Sequence, residues 1–235
     1  MTVSRGSSRA GAVCAIAGSV SLFIGTYLHP MSADPNDALA AFTEYAADRL
    51  WVASHLTQLA GVALMVAALL LLTRQLAAGR AAAWARIAAG AAIASLAVAA
   101  ALQAVDGVAL KAMVNAWAAA PPAEKDGIFH AAFAVRQVEI GLACMVSLAL
   151  GLTSVLSGVA LLIDRTYPRW VGWLAVVGGV PTMVAGVVIA YTGFSELAMD
   201  INMPANSVLL VWMLALGAYM WRPRAVGPER PSTDR

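Results

Sequence analysis

Six apolar stretches constrain this chain more than any other feature, because each is about as long as a helix that crosses a lipid bilayer. Such a helix needs about 20 residues to span about 30 Å of hydrocarbon. The stretches cover residues 10–28, 51–73, 87–105 (extended by 106–117), 128–163, 170–192 and 207–221. The last is short, so we expect its upper end to begin at Pro204, a residue type that favours the first helical turn. Together they predict an all-α fold, a polytopic transmembrane helix bundle of six spans.

The composition agrees with a membrane protein and argues against other classes. Only 12% of the 235 residues are charged, whereas a soluble domain carries about 25%, and a soluble core of this size cannot bury so much apolar surface. A net charge of +2, without a basic aromatic patch, gives no support to nucleic acid as a partner. The first stretch, at about 19 residues, is longer than the apolar region of a signal peptide, so it predicts a membrane helix.

The distribution of Lys and Arg predicts the orientation of the bundle. With the N-terminus in the cytoplasm, eleven of the 15 basic residues fall on the inner side, and the outer side holds Arg49, Lys111, Lys125 and Arg136. Inner loops of membrane proteins carry such an excess of positive charge. We therefore predict that both termini are cytoplasmic (N-in/C-in), in a multi-pass protein of the cell (inner) membrane that has the lipid bilayer as its surroundings.

The segments outside the spans add two predictions. Between the first two spans, Asn36 is placed to cap a short amphipathic outer helix in the segment DALAAFTEYAAD. Its apolar face consists of Leu39, Phe42, Tyr45 and Ala46. Residues 223–235 are rich in Pro, Arg and Glu and predict a disordered cytoplasmic tail, so the helix bundle occupies residues 1–222.

Glycines recur every seven residues in two of the spans, and a third span adds a further pair. In lipid, small residues mark the faces on which helices pack closely, and a seven-residue repeat favours left-handed crossings. We therefore predict helix-packing seams along these glycines. They are Gly11, Gly18, Gly25, Gly151, Gly158, Gly172, Gly179, Gly186 and Gly193.

Polar residues on four helices reach one level, the outer boundary of the hydrocarbon. At a rise of about 1.5 Å per residue, His29, His55 and Asp106 lie about 30 Å from the arginines at the inner ends of their helices. Arg136 and Glu139, on the next helix, lie at or above this level and share a face through their i,i+3 spacing. Because a carboxylate at this depth needs a partner, we expect Arg136 to pair with Asp106 or Glu139.

The favoured hypothesis is an outer-facing polar pocket that binds a small lipophilic molecule or a metal. Imidazole and carboxylate groups are suitable ligands for zinc or iron, and His55 with His130 is the pair considered for axial ligation of a haem. The sequence does not identify the metal or the cofactor. The residues of metal-ligand type are His29, His55, His130, Asp106 and Glu139. The predicted ligand-binding residues are His55, Gln58, Gln103, Arg136 and His130.

Two other functions fit the same residues, so whether the protein is an enzyme stays open. A carboxyl group in apolar surroundings holds its proton and acts as a general acid. Asp106 and Glu139 are therefore the catalytic residues of an alternative acid–base enzyme of the cyclase or isomerase type, acting on a lipid-like substrate, with Arg136 keeping one of them ionised. A non-catalytic accessory subunit with a membrane protein partner is the second alternative. Ion pairs that only fasten helices together also account for these residues.

Two segments carry a resemblance to known sequences. WVASHLTQLAG and AVDGVALKAMVNAWAAAPPAEKDGIFHAAFAVRQVEIG resemble a group of uncharacterised bacterial polytopic membrane proteins, over the second to fourth spans. The resemblance implies the same multi-span membrane fold and implies no particular activity.

The predicted orientation can be tested by cysteine labelling. With Cys14 and Cys144 replaced by Ala, a membrane-impermeant maleimide should label Asp126→Cys in intact spheroplasts, because this position lies in a predicted outer loop. Ala78→Cys, in a predicted inner loop, should react only after the membrane is permeabilised. Labelling with the reverse pattern would contradict the N-in/C-in topology.

Overall fold

The computed structural model describes residues 5–222, and every regular element within this range is helical. A π-helical segment, Ala104–Leu110, joins two of the α-helices without a break. The predicted disordered tail, residues 223–235, lies outside the described residues. The α-helices are α1 (Arg5–Leu28), α2 (Ala38–Ala47), α3 (Trp51–Leu76), α4 (Ala82–Gln103), α5 (Lys111–Ala119), α6 (Pro122–Asp164), α7 (Arg169–Thr192) and α8 (Glu196–Trp221).

Six helical segments are long and apolar enough to cross a membrane, which confirms the predicted all-α, six-span fold. Four are α1, α3, α7 and α8, and α6 extends over 43 residues. The remaining segment, Ala82–Ala119, combines α4, the π-helical segment and α5 over 38 residues. At 1.5 Å per residue these two exceed the thickness of a bilayer, so α5 and the start of α6 project beyond it as a hairpin.

The last span begins earlier than the sequence predicts. α8 starts at Glu196, and Pro204 lies inside the helix rather than in its first turn. Ser195 is the N-cap, and its side chain accepts a hydrogen bond from the backbone N–H of Ala198. Apolar patterning missed this first part because Glu196 and Asp200 are exposed and polar. A span of 26 residues also explains how α8 reaches across the bilayer.

Most of the glycines that the seven-residue pattern singles out lie at close contacts between spans, which confirms packing seams there, but Gly193 is an exception, because it ends α7 and faces Asn36. A Cβ added at Gly18 of α1 would lie 2.8 Å from the carbonyl oxygen of Gly61 in α3. Likewise, a Cβ at Gly151 of α6 would lie 2.6 Å from the carbonyl oxygen of Gly179 in α7. Backbone atoms of neighbouring helices are therefore in direct contact, as helices without a hydrophobic driving force between them require.

The short helix between the first two spans forms as predicted, but its cap and part of its face differ. The N-cap is Asp37 and not Asn36, because the Asp37 carboxylate accepts hydrogen bonds from the N–H groups of Leu39 and Ala40 at 3.1 Å. Phe42 and Tyr45 are buried as expected, whereas Leu39 is 59% exposed and points away from the bundle. Phe42 packs against the rings of Trp117 and Phe129 in the projecting hairpin.

Lys111 fastens α2 to the rest of the chain. Its Nζ donates hydrogen bonds to the carbonyl oxygens of Tyr45 at 2.5 Å, Ala46 at 3.0 Å and Asp48 at 2.7 Å. The Tyr45 and Ala46 carbonyls belong to the last turn of α2, where they have no partner within the helix, and a positive charge at a helix C-terminus is favourable. α2 thus covers one end of the bundle together with the π-helical segment, α5 and the start of α6, and we call this end the α2 end.

The seam between α1 and α3 can be tested with two alanine substitutions. Gly61→Ala should destabilise the protein by about 1–3 kcal/mol, because its Cβ would lie 2.6 Å from the backbone nitrogen of Leu22. Gly90→Ala is the matched control: Gly90 has no atom within 4 Å of an added Cβ, and Ala favours helix by about 1 kcal/mol. Thermal unfolding in detergent should therefore give Gly61→Ala a lower melting temperature than Gly90→Ala. Equal melting temperatures for the two variants would contradict the close contact.

Candidate functional site

The π-helical segment brings Asp106 to α3. A π-turn adds a residue to the regular α pattern, and such turns occur frequently at functional sites. The backbone carbonyl of Asp106 accepts a hydrogen bond from Trp51 Nε1 at 3.0 Å. Gly107 allows the close approach, since an added Cβ would lie 2.6 Å from the Cβ of His55. Asp106 therefore faces the first turns of α3.

His55 is almost completely buried on α3. The residue is 1% exposed, and its Nδ1 lies 2.7 Å from the carbonyl oxygen of Trp51. An imidazole whose Nδ1–H is held by a backbone carbonyl presents Nε2 as its free nitrogen. This Nε2 lies 3.0 Å from Asp106 Oδ2. The contact joins α3 to the π-helical segment at the level predicted for polar residues.

His29 lies beside this pair, immediately after the end of α1. Its ring centroid is 5.0 Å from that of His55 and 4.8 Å from that of Trp51. Its Nδ1 lies 2.7 Å from the carbonyl oxygen of Pro30, so Nε2 is again the free nitrogen. Burial lowers the pKa of His29, and the neighbouring His55 lowers it further, against the opposing effects of Asp106 and the Pro30 carbonyl. His29 is therefore neutral near pH 7.

These three side chains form a compact group of potential ligands. One ligand atom from each of His29, His55 and Asp106 lies within 4.8 Å of the other two. Among the described residues, Asp106 Oδ1 and Gln103 Oε1 are buried without a hydrogen-bond partner, whereas His55 Nε2 contacts Asp106 Oδ2 at 3.0 Å. Buried polar atoms are normally satisfied. Asp106 Oδ1, next to the two imidazoles, is therefore available to bind a further polar group.

Arg136 and Glu139 form a second buried group at the α2 end. Arg136 Nη1 donates to Glu139 Oε2 at 2.5 Å, and the two residues are 4% and 2% exposed. Of the two partners that the sequence allows for Arg136, the structure selects Glu139 over Asp106. The guanidinium also lies 5.5 Å from the ring of Tyr45 and 5.0 Å from that of Phe194.

Tyr45 interacts electrostatically with residues of both groups, Asp106 in the first and Arg136 and Glu139 in the second. Burial raises its pKa to about 12, Arg136 opposes the shift, and the carboxylates of Glu139 and Asp106 add to it. The phenol is therefore neutral at all physiological pH values, and it stays a hydrogen-bonding group next to both carboxylates.

The remaining predicted site residues are placed differently. Gln103 Nε2 donates to Gln58 Oε1 at 3.2 Å, one turn deeper than His55 and Asp106. His130 is exposed on α6 and contacts the ring of Phe129, and it is not in the group of ligand atoms that His55 joins. His29 lies in the group with His55 instead, although it was outside the predicted ligand-binding set. The sequence signal that pointed to His29 was its predicted depth in the bilayer.

An open cleft of about 210 Å³ also lies at the α2 end. Of the predicted site residues it includes Arg136 alone, and Gly193 with its φ of +63° forms part of its rim. Its lining residues are Pro35, Asn36, Ala38, Phe133, Arg136, Gln137, Ile140, Thr192 and Gly193. This cleft is therefore not the polar pocket that the sequence predicts on the second to fourth spans.

Comparison with known proteins gives a family. Residues 10–217 match the model of a domain of unknown function, DUF4386, and the chain belongs to this family. No curated protein and no solved structure shows significant similarity to the chain. The family match covers all six spans in whole or in part, which agrees with a multi-pass membrane protein.

The burial of Tyr45 predicts that the stability of the folded protein depends on pH in the alkaline range. Its pKa in the folded state, about 12, exceeds the ordinary value of about 10, so its contribution to stability is complete below pH 10 and is lost as the pH rises to 12. The wild-type protein should lose about 2–3 kcal/mol more than Tyr45→Phe over this interval. Thermal unfolding measured from pH 9 to 12 checks the slope, and tyrosinate absorption at 295 nm follows the ionisation. Parallel slopes would contradict the burial of this phenol.

Proposed function

We propose that this member of the DUF4386 family binds a divalent transition metal ion at His29, His55 and Asp106. The observation that carries the proposal is the convergence of two imidazole nitrogens and one carboxylate within 4.8 Å. Asp106 Oδ1 is buried there without a hydrogen-bond partner among the described residues. With the predicted orientation, the ion lies at the outer boundary of the membrane.

The distances suit an ion with only a small adjustment. Zinc binds His nitrogen and carboxylate oxygen at about 2.0–2.2 Å, so neighbouring ligand atoms in a tetrahedral site are about 3.3 Å apart. His55 Nε2 and Asp106 Oδ2 are already 3.0 Å apart. The remaining adjustment is a shift of His29, the one ligand outside a helix, toward the other two.

The surroundings of both histidines support ligation. A ligating histidine almost always donates its second ring N–H to a carboxylate or a backbone carbonyl, which orients the ring. Here the Nδ1 atom of His29 lies 2.7 Å from the carbonyl oxygen of Pro30, and that of His55 lies 2.7 Å from the carbonyl oxygen of Trp51. Both rings therefore present Nε2 in the orientation that a metal requires.

The ligand set favours zinc or ferrous iron. Two histidines and one carboxylate are typical of catalytic zinc and of non-haem Fe(II) sites, and each leaves at least one coordination position open. The rings of Trp51 and Tyr45 pack 4.2 Å apart next to His29. An open position beside an apolar wall would accept a small amphipathic molecule, with its polar group on the ion.

A second candidate function is supported by the same contact. His55 Nε2 and Asp106 Oδ2 at 3.0 Å also form the pair of an acid–base catalyst. In that case Asp106 orients or protonates His55, Glu139 remains the carboxylate held by Arg136, and the substrate is a lipid-like molecule. The metal content of the purified protein separates the two functions.

Metal analysis of the detergent-purified protein tests the proposal. We expect about one zinc or iron per chain, and His55→Ala and Asp106→Asn should each reduce the affinity by at least 100-fold, because each removes a ligand. His130→Ala is the matched control, since this histidine is exposed on α6, and its affinity should equal that of the wild type.

The measurement is a zinc titration after the protein has been stripped with a chelator, with an absorption spectrum of the untreated protein for iron or haem. A protein that neither carries nor takes up a metal would overturn the metal site. An equal loss in His130→Ala would show that the titration reports a different site.

A further inference from the structure

We propose that Arg136 is a positioning residue that holds His29 in reach of the metal ion. The inference rests on the proposed metal site and concerns how its third ligand is presented. His55 and Asp106 lie on continuous helical segments, whereas His29 lies between α1 and α2. The connection from His29 to Asp37, which we call the strap, therefore decides where this ligand sits.

Arg136 holds the strap directly. Its Nη2 donates a hydrogen bond of 3.1 Å to the carbonyl oxygen of Pro35. On the other side, the Glu44 carboxylate of α2 accepts hydrogen bonds from the N–H groups of Ser32 and Ala33, both at 3.0 Å. The strap is thus fixed to α6 at one point and to α2 at another, and it has no regular hydrogen-bonding pattern of its own.

A second contact leads from Arg136 to His29 through aromatic rings. The guanidinium lies over the ring of Tyr45, 5.5 Å from its centroid, where cation–π attraction is favourable. The Tyr45 ring packs at 4.2 Å on Trp51 and at 6.4 Å edge-on to His29. One side chain therefore supports both the backbone that follows His29 and the ring that packs beside it.

The charge of Arg136 fits this role better than a purely stabilising one. A buried ion pair adds little net stability relative to well-packed apolar residues of the same size. Glu139 accepts from Arg136 Nη1, which orients the planar guanidinium and leaves Nη2 for the Pro35 carbonyl. The ion pair therefore fixes the orientation of the guanidinium, and the hydrogen bond from Nη2 to Pro35 fixes the position of the strap.

The test is a double-mutant cycle on cobalt affinity, with Co²⁺ as a spectroscopic substitute for zinc in the chelator-stripped protein. Arg136→Met should reduce the affinity by about 10- to 100-fold, the usual effect of removing a residue that orients a metal ligand. His29→Ala should give a similar loss. The double variant should be no weaker than either single one, because both remove the same ligand.

Two further variants separate positioning from general damage. Arg136→Lys keeps the charge and a donor for Pro35, so it should recover most of the affinity. Arg86→Met removes an exposed arginine that is not among the predicted outer-side residues, and it should bind cobalt like the wild type. If Arg136→Met does not fold, Glu44→Ala loosens the same strap at a partly exposed position and should show the same non-additivity with His29→Ala.

The visible cobalt bands give a readout that a merely structural role would not change. In Arg136→Met they should shift to those of His29→Ala, because both lose one nitrogen ligand. The positioning role would be overturned if the losses of cobalt affinity in the two single variants multiplied in the double variant, or if Arg136→Met kept the wild-type spectrum. Either result would leave the metal site intact. A wild-type protein that takes up no cobalt would overturn the site itself.

Discussion

A polar side chain at the edge of a bilayer needs a partner within the protein, and this requirement organises the α2 end. His55 contacts Asp106, Arg136 binds Glu139 and the carbonyl oxygen of Pro35, and Lys111 caps the last carbonyls of α2. The contacts of Asp106, Pro35 and Lys111 join parts of the chain that lie far apart in sequence. Polar pairing thus determines how α2 closes over the bundle, whereas glycine seams determine how the spans pack below it.

The π-helical segment gives this end of the bundle its candidate site. It places Asp106 next to α3 while the helix continues into α5, and Gly107 allows the segment to lie directly against the His55 side chain. Trp51 Nε1 then donates a hydrogen bond to the Asp106 carbonyl oxygen. A local departure from α-helical geometry is in this way supported from both sides, as expected where a side chain must be aimed.

The proposed ion accounts for several features through one cause. A pair that only fastened two helices would explain the 3.0 Å contact between His55 and Asp106. It would not explain why His29 places its ring beside that of His55, or why Oδ1 of Asp106 lacks a hydrogen-bond partner there. The same hypothesis assigns a role to the strap, because the strap carries His29, the one proposed ligand that lies outside a helix.

The sequence by itself determined the six spans, the helix between the first two, the packing glycines and the depth of the polar residues. Each follows from local apolar length, periodicity or rise per residue. Only the tertiary structure decided which polar groups meet: His29 joins the site, His130 stays exposed and Glu139 binds Arg136. Depth comes from counting residues, but the direction of a side chain depends on helix rotation, on a π-turn and on the path of the strap. Packing against other helices sets all three.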